Sequence, residues 1–264
     1  MDLFARACRL QLTAIVYGHR GASIELPENT LEAFQRALEL GADAIETDVH
    51  VTSDGHVVIH HDDTGARMAC ARRAVAECSL EEVQRWNVGF GFRDRRGAGI
   101  SDSSYRAPTL EEALAAFGDV RFNIDIKTHR AVDSVLRVVE RAEASDRVLL
   151  TSFHDDVTRA IRLLGYRGRT GLARGEALRA LALPAWAPRA VRPAGDHIQL
   201  PVEISGVRLA RPRVIRRLQA LGYRVDFWVI NDPRLAIATV AAGADGVMTD
   251  DPRTIVPAVH VENL

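Results

Sequence analysis

Apolar residues recur along this chain in two rhythms that take turns. Short runs at Ala14 to Tyr17, Ala44 to Val49, Arg121 to Ile126, Val148 to Thr151, Arg169 to Leu172, His197 to Leu200, Val225 to Ile230 and Gly246 to Thr249 read as strands. Between them the apolar positions fall three and four apart, as on one face of a helix. That spacing predicts helices at Leu31 to Gly41, Leu110 to Phe117, Ala131 to Ala144, Asp155 to Leu164, Glu176 to Leu183, Pro212 to Leu221 and Leu235 to Ala242. Strands alternating with helices over 264 residues imply an α/β protein of one domain, a (β/α)8 TIM barrel spanning residues 1–264.

A ninth extended run, Val57 to His60, breaks the alternation. The few residues between Val49 and Val57 cannot hold a parallel crossover, so this run is predicted to fold back antiparallel. Asp54-Gly55 suits the centre of a two-residue type I′ turn. That turn would pair Ser53 with His56 and Asp48 with His61, placing His61 on the face of Glu46 and Asp48 and turning His60 away. An insertion follows at about 64–108, with a helix expected at Leu80 to Trp86 and then a glycine-, arginine- and serine-rich run. Lying after a barrel strand, it is expected to lid the catalytic rim. Phe90 and Phe92 argue for partial packing, with a disordered loop the alternative for Arg93 to Ser104.

Net charge is −1 with 26% charged residues, so no global basic field argues for nucleic acid or an anionic membrane surface. Cys8, Cys70 and Cys78 make an odd set without zinc spacing, which fits a reducing compartment. Asp2, Arg6 and Arg9 interrupt the amino-terminal apolar run, so neither a signal peptide nor a transmembrane segment is expected, and the expected location is cytoplasmic.

The candidate chemistry gathers where strands end. His19 and Arg20 follow the first strand, and Glu46 and Asp48 alternate onto one face of the second. Two like charges on one face are costly unless a cation sits between them. In Asn123 to Lys127 the same alternation sends Asn123, Asp125 and Lys127 into the barrel if Ile124 and Ile126 pack outward. Glu46, Asp48 and Asp125 therefore form a candidate site for a divalent cation, and an all-oxygen set suits Mg²⁺ or Ca²⁺ over zinc. The alternative is a set of buried ion pairs with Lys127 and Arg20. His19 and His61 sit beside these acids, where an imidazole can be tuned for proton transfer, whereas the other seven histidines read as structural. Lys127 suits either a phosphate oxygen or a Schiff base, and a charged neighbour at Asp125 disfavours the second. Trp228 alternates with Asp226 and Ile230 and reads equally as a core aromatic or a pocket wall.

HRG at His19, PENT at Pro27, GADAIETD from Gly41, DG at Asp54 and HDDT at His61 resemble, in order and spacing, the glycerophosphodiester phosphodiesterase family. The resemblance continues through NIDIK, TSF, WVINDP and GADGVMTDDP, covering nearly everything beyond the first dozen residues. It implies a TIM barrel that hydrolyses glycerophosphodiesters to glycerol 3-phosphate and an alcohol. It also implies His19 and His61 as acid and base, Glu46, Asp48 and Asp125 as metal ligands, Arg20 and Lys127 on phosphate oxygens, and Trp228 in the substrate pocket. The proposed route in such enzymes is internal, through the glycerol hydroxyl beside the phosphate. Two departures stand out: Asp125 replaces the usual glutamate, and HDDTGARMA keeps Arg67 but lacks the hydroxyls of the usual HDxxLxRTT. Lysophospholipase D action on acylated glycerol, or a silent phosphodiester-binding barrel, are the alternatives.

Overall fold

A computed structural model describes residues 14–100 and 104–260. The amino-terminal segment, Cys8 and Ser101 to Ser103 lie outside the described residues. Strand β1 (Ile15–His19) runs into helix α1 (Leu31–Glu39), whose Thr30 cap accepts from the Ala33 amide at 3.2 Å. Gly41, at φ +89°, lets the chain leave the helix for β2 (Ala44–Val51). Phe34 is fully buried on α1 and meets Phe117 and Phe122 edge-on at 6.3 and 6.1 Å. Burial of such a ring stabilises by about 2–3 kcal/mol.

After the short β3 (Val57–Ile59), the insertion forms α2 (Ala66–Ala69) and α3 (Leu80–Gln84). The alternation then resumes with α4 (Leu110–Ala116), β4 (Arg121–Ile126), α5 (Val132–Arg141), β5 (Val148–Thr151), α6 (Asp155–Leu163), β6 (Arg169–Thr170) and α7 (Arg174–Ala182). It ends with β7 (His197–Pro201), a small hairpin of β8 (Glu203–Ile204) and β9 (Val207–Arg208), α8 (Pro212–Ala220), β10 (Arg224–Trp228), α9 (Pro233–Ala241), β11 (Gly246–Thr249) and α10 (Pro252–Val259). The eight predicted barrel strands are all present. The β8–β9 hairpin and α10 were not anticipated.

The barrel strands pair in parallel in the order β6-β5-β4-β2-β1-β11-β10-β7. The two edges meet through a Gly171–His197 bridge, with the Leu172 amide donating to the His197 carbonyl at 2.8 Å, which closes the sheet into a TIM barrel. Ile45, Ile124, Ile126, Val135 and Ile161 share one apolar cluster between sheet and helices, while Val16, Ile198, Phe227 and Val247 share another. With alternate residues committed outward, Glu46, Asp48, Asn123, Asp125 and Lys127 face the interior. All parallel strands present their carboxyl ends on one rim, so these polar groups collect there.

The hairpin register differs from the expected one by a single residue. Val49 pairs with Ile59 and Val51 with Val57, and the His60 amide donates to the Asp48 carbonyl at 3.0 Å. Asp48 is therefore opposite His60 rather than His61. The connection is a three-residue loop, Ser53-Asp54-Gly55, with the Gly55 amide donating to Thr52 at 3.2 Å and Gly55 itself at φ +89°. Asp54 fixes that loop by accepting from the Thr52 hydroxyl at 2.6 Å and the Leu80 amide at 3.1 Å.

The insertion also departs from expectation. Phe92 is 5% exposed among Val58, Met68 and Trp86, whereas Phe90 is 54% exposed. No residue between Asp62 and Asn123 lines the cavity described below, so among the described residues the insertion buttresses the β3 end rather than covering the cavity.

Candidate active site

The turn after β1 sets the first two side chains. Arg20 takes φ +56° and Gly21 φ +87°, and a Cβ on Gly21 would lie 2.5 Å from the Ala33 carbonyl carbon. The glycine of HRG thus lets α1 pack directly on the turn. Gly21→Ala is expected to destabilise the fold by about 3 kcal/mol or more, through combined clash and strain. Urea titration checks this; an unchanged midpoint would refute the account.

Histidine 19 is anchored through one ring nitrogen. Its Nδ1 lies 2.6 Å from Asp250 Oδ1, and Nε2 lies 3.7 Å from Glu46 Oε2. Asp250 is held in turn by the Asn231 amide, which donates at 2.7 Å, and by the Ser23 hydroxyl at 3.1 Å. Burial pulls the imidazole pKa down, but Glu46 and the Asp250 hydrogen bond outweigh it, and the net direction is up.

His61 reaches the same space by another route. Strand β3 stops at Ile59, and the chain bends at His61 to Asp63. Buried His50 bonds the His61 carbonyl through Nε2 at 3.2 Å, and His61 Nδ1 lies 2.7 Å from Asp62 Oδ1. His60 stays behind, buried edge-on to Trp86 with Nε2 3.1 Å from the Thr64 carbonyl. The face assignment for the two histidines therefore holds, although the register that suggested it does not.

Between the histidines lies a charge lattice. Lys127 Nζ sits 2.6 Å from both Asp48 Oδ1 and Asp125 Oδ2. Asp48 Oδ2 accepts from Asn29 at 2.9 Å and lies 3.1 Å from Arg20 Nε, a charge pairing in which the N–H is not aligned for a hydrogen bond. Burial alone would raise the Asp48 carboxyl, but Lys127 and Arg20 hold it well below the carboxylate range. Burial likewise pulls Lys127 down, and Asp48 and Asp125 more than offset it, keeping the ammonium charged. A Schiff-base role is thereby disfavoured.

Glu46 is different. Burial, reinforced by Asp48, pushes its pKa up to about 7. Asp125 is raised by burial in the same direction. Glu46 Oε2 and Asp125 Oδ1 are buried acceptors with no hydrogen-bond partner. Two orphaned carboxylate oxygens and a shortage of positive charge at Glu46 fit a small hard cation. Among the described residues no three acids or histidines already form a metal-like cluster, and Lys127 bridges Asp48 and Asp125. The ion-pair alternative thus describes Asp48 and the Lys127-bound oxygen of Asp125, and leaves Glu46 Oε2 and Asp125 Oδ1 without a hydrogen-bond donor.

All eight predicted site residues, His19, Arg20, Glu46, Asp48, His61, Asp125, Lys127 and Trp228, line one cavity of about 540 Å³. Trp228 meets Phe153 edge-on at 5.7 Å on its wall. Sequence reasoning missed the supports of Arg20 and His61. Glu28 Oε1 accepts from Arg20 at 3.0 Å, and Arg67 donates to Glu28 at 2.6 Å and to Asp62 at 2.7 Å. One arginine therefore ties the partner of Arg20 to the partner of His61. The glutamate of PENT and the retained Arg67 were the available signals.

Comparison with known proteins identifies the family and the fold. A family model described as the glycerophosphoryl diester phosphodiesterase family matches residues 19–254. A Mycobacterium tuberculosis protein named "Probable glycerophosphodiester phosphodiesterase 2" is 35% identical over 89% of this chain and 87% of its own. The glycerophosphodiester phosphodiesterase of Caldanaerobacter subterraneus is 29% identical over 94% of this chain and 99% of its own. The solved glycerophosphodiester phosphodiesterase of Agrobacterium tumefaciens shares the fold, with a TM-score of 0.77 at 22% identity over 94% of this chain and all of that one. A match running from the HRG histidine almost to the carboxyl terminus makes this barrel a member of the glycerophosphoryl diester phosphodiesterase family, and a phosphodiesterase.

Proposed function

We propose that this enzyme hydrolyses glycerophosphodiesters to glycerol 3-phosphate and an alcohol, with His19 and His61 exchanging protons with the reacting oxygens. The observation that carries the reading is the pairing of each imidazole, through Nδ1, with its own carboxylate, Asp250 or Asp62. Such pairing sets the tautomer and leaves Nε2 for proton transfer. Arg20 and Lys127 hold the phosphoryl oxygens, the first as a planar fork and the second as a point charge. Trp228 gives the substrate's carbon skeleton a flat wall.

Glu46, Asp48 and Asp125 would hold a divalent cation, Mg²⁺ or Ca²⁺. When bound, the ion neutralises charge that develops on the phosphoryl oxygens. The free Glu46 and Asp125 oxygens support this reading. Asp125 is one methylene shorter than the usual glutamate, and part of its reach is spent on Lys127. Free Cys70 and Cys78, together with the absence of any long apolar helix among the described residues, are compatible with a cytoplasmic setting.

Glycerol 3-phosphate release from glycerophosphocholine and glycerophosphoethanolamine tests both parts. Chelation is expected to abolish release and added Mg²⁺ or Ca²⁺ to restore it. Full activity in metal-free protein would remove the cation from the proposal, and no release under any condition would remove the substrate class.

A further inference from the structure

Side chains that point into a closed barrel stack in layers of four, each layer drawn from alternate strands. Strands β1, β4, β6 and β10 form such a set, each separated from the next by one strand around the closed sheet. Their lowest inward residues, at the amino-terminal mouth opposite the candidate active site, are Ile15, Arg121, Arg169 and Arg224. The neighbours fix that direction. Phe122 and Val225 join the apolar clusters outside the sheet, and the Thr170 hydroxyl accepts from Arg162 of α6 at 3.2 Å, which leaves the preceding arginine of each strand facing inward. The register keeps the three level, with Ala44 opposite Arg121, Leu149 opposite Arg169 and His197 opposite Arg224. Arginine thus takes three of the four places in a layer that branched apolar residues ordinarily fill.

These charges are unpaired. Among the described residues no carboxylate lies within 4.0 Å of the three guanidinium groups. The acids of the same mouth are engaged elsewhere: Asp43, Asp196 and Asp245 accept from the backbone amides of Val16, Thr170 and Val225 at 2.8, 2.9 and 2.8 Å. Asp226, one residue pair further up β10, is fully buried and bonded to His197 at 2.8 Å. Arg224 Nε is buried without a hydrogen-bond partner, and its Nη2 reaches the Asp245 carbonyl at 3.4 Å. Tyr17, the next inward residue of β1, stands over this ring. Burial, reinforced by Asp226, holds its phenol well above the usual pKa against the opposing pull of all three arginines, so the hydroxyl keeps its proton and can donate. Arginine stays charged at any ordinary pH, so protonation cannot relieve three like charges on one ring as it can relieve clustered carboxylates. An anion seated among them offsets a repulsion that water only screens.

We infer that the amino-terminal mouth of the barrel binds a phosphate group, as inorganic phosphate or a phosphomonoester, through Arg121, Arg169 and Arg224 with Tyr17 as a hydroxyl donor. A tetrahedral oxyanion offers oxygens to several guanidinium forks at once, whereas a single carboxylate satisfies one. Arg121 and Arg169 are exposed, which opens the site to solvent. The interior layers of the barrel separate it from His19 and His61, so this is a second site rather than an extension of the first. Binding there makes and breaks no covalent bond.

Equilibrium dialysis of the full chain against radiolabelled inorganic phosphate at constant ionic strength tests the site. Arg20 and Lys127 take phosphate equally in every protein compared, so the native chain should bind one equivalent more than the Arg121→Gln/Arg169→Gln double variant. Each single substitution should weaken that extra equivalent by about tenfold or more, the loss expected for a charge-assisted hydrogen bond. Urea midpoints give the second measurement. Without phosphate the double variant should be at least as stable as the native chain, because like charges have been removed, and added phosphate should raise the native midpoint more than the variant's. Equal phosphate binding by the two proteins would overturn the site. So would a midpoint rise that chloride reproduces at the same ionic strength, which is screening alone, or a double variant less stable than the native chain in phosphate-free buffer, which would make the arginines structural. Displacement of the label by methyl phosphate as well as by unlabelled phosphate would support a site for phosphomonoesters, and displacement by unlabelled phosphate alone would support one for the free ion.

Discussion

His19→Ala and His61→Ala should each reduce turnover by about a hundredfold or more, the effect expected for a lost general acid or base. The expectation rests on how the rings are held. Asp250 grips His19 at Nδ1, and Asp62 grips His61 in the same way, so on each cavity-lining ring Nε2 is the nitrogen left for proton transfer. His60→Ala is the control. That ring is buried against Trp86 and bonded to Thr64, so its loss should cost roughly 1–3 kcal/mol of stability while turnover stays within a few-fold. Steady-state rates and urea midpoints for the three variants separate the two kinds of effect. If His60→Ala proved as damaging to turnover as His61→Ala, the assignment of the reacting imidazole would be wrong.

The adjacent histidines also show what a sequence can reveal and what it hides. Strand alternation correctly sent Glu46, Asp48, Asp125 and Lys127 inward, because Ile45, Ile124 and Ile126 need the helices outside, and apolar burial leaves no choice of face. Turn chemistry was less decisive. Ser-Asp-Gly suits a two-residue I′ turn and a three-residue loop ending in left-handed glycine almost equally. The second won because Asp54 finds the Leu80 amide, a partner 26 residues away that local pattern cannot reveal. The one-residue slip would have turned His61 outward had the strand continued. It stops at Ile59, and a bend returns His61 to the cavity.

The carboxylate supports were hidden for the same reason. Arg67 reaches Glu28 across 39 residues, and Asp250 reaches His19 across 231. No periodicity encodes such distances, whereas the motifs PENT, HDDT and TDDP mark their endpoints without joining them. Only the pairing of the first and last barrel strands, β1 and β11, with Tyr17 opposite Met248, brings Asp250 to His19. Asp250, just past the end of β11, supplies the hydrogen bond that fixes the first imidazole.

A glycerophosphodiester whose hydroxyl beside the phosphate is replaced by hydrogen should bind yet turn over at least about a thousandfold more slowly than the parent. The reason is the scarcity of a protein nucleophile. Thr151 and Ser152 line the cavity, but their hydroxyls lie 3.3 Å from the Ile124 carbonyl and 2.7 Å from the Ile126 carbonyl, and neither is bonded to a site histidine. Ser23 spends its proton on the His19 carbonyl or Asp250. The attacking oxygen then comes from the substrate or from water. In the internal route one histidine removes the proton of the neighbouring hydroxyl, whose oxygen bonds to phosphorus while Arg20 and Lys127 bear the added charge. The phosphorus–oxygen bond to the alcohol breaks, and the other histidine delivers the departing oxygen its proton. Water opens the resulting cyclic glycerol phosphate with the two histidines exchanging roles, giving glycerol 3-phosphate. An intramolecular nucleophile carries an effective concentration of about 10⁵ M or more when well oriented, which sets the size of the expected loss. Direct attack by water would use the same side chains but would not need the hydroxyl. Competition against glycerophosphocholine measures the binding of the deoxy compound, and product release measures its turnover. Rates near those of the parent would exclude the cyclic route and assign the attack to water.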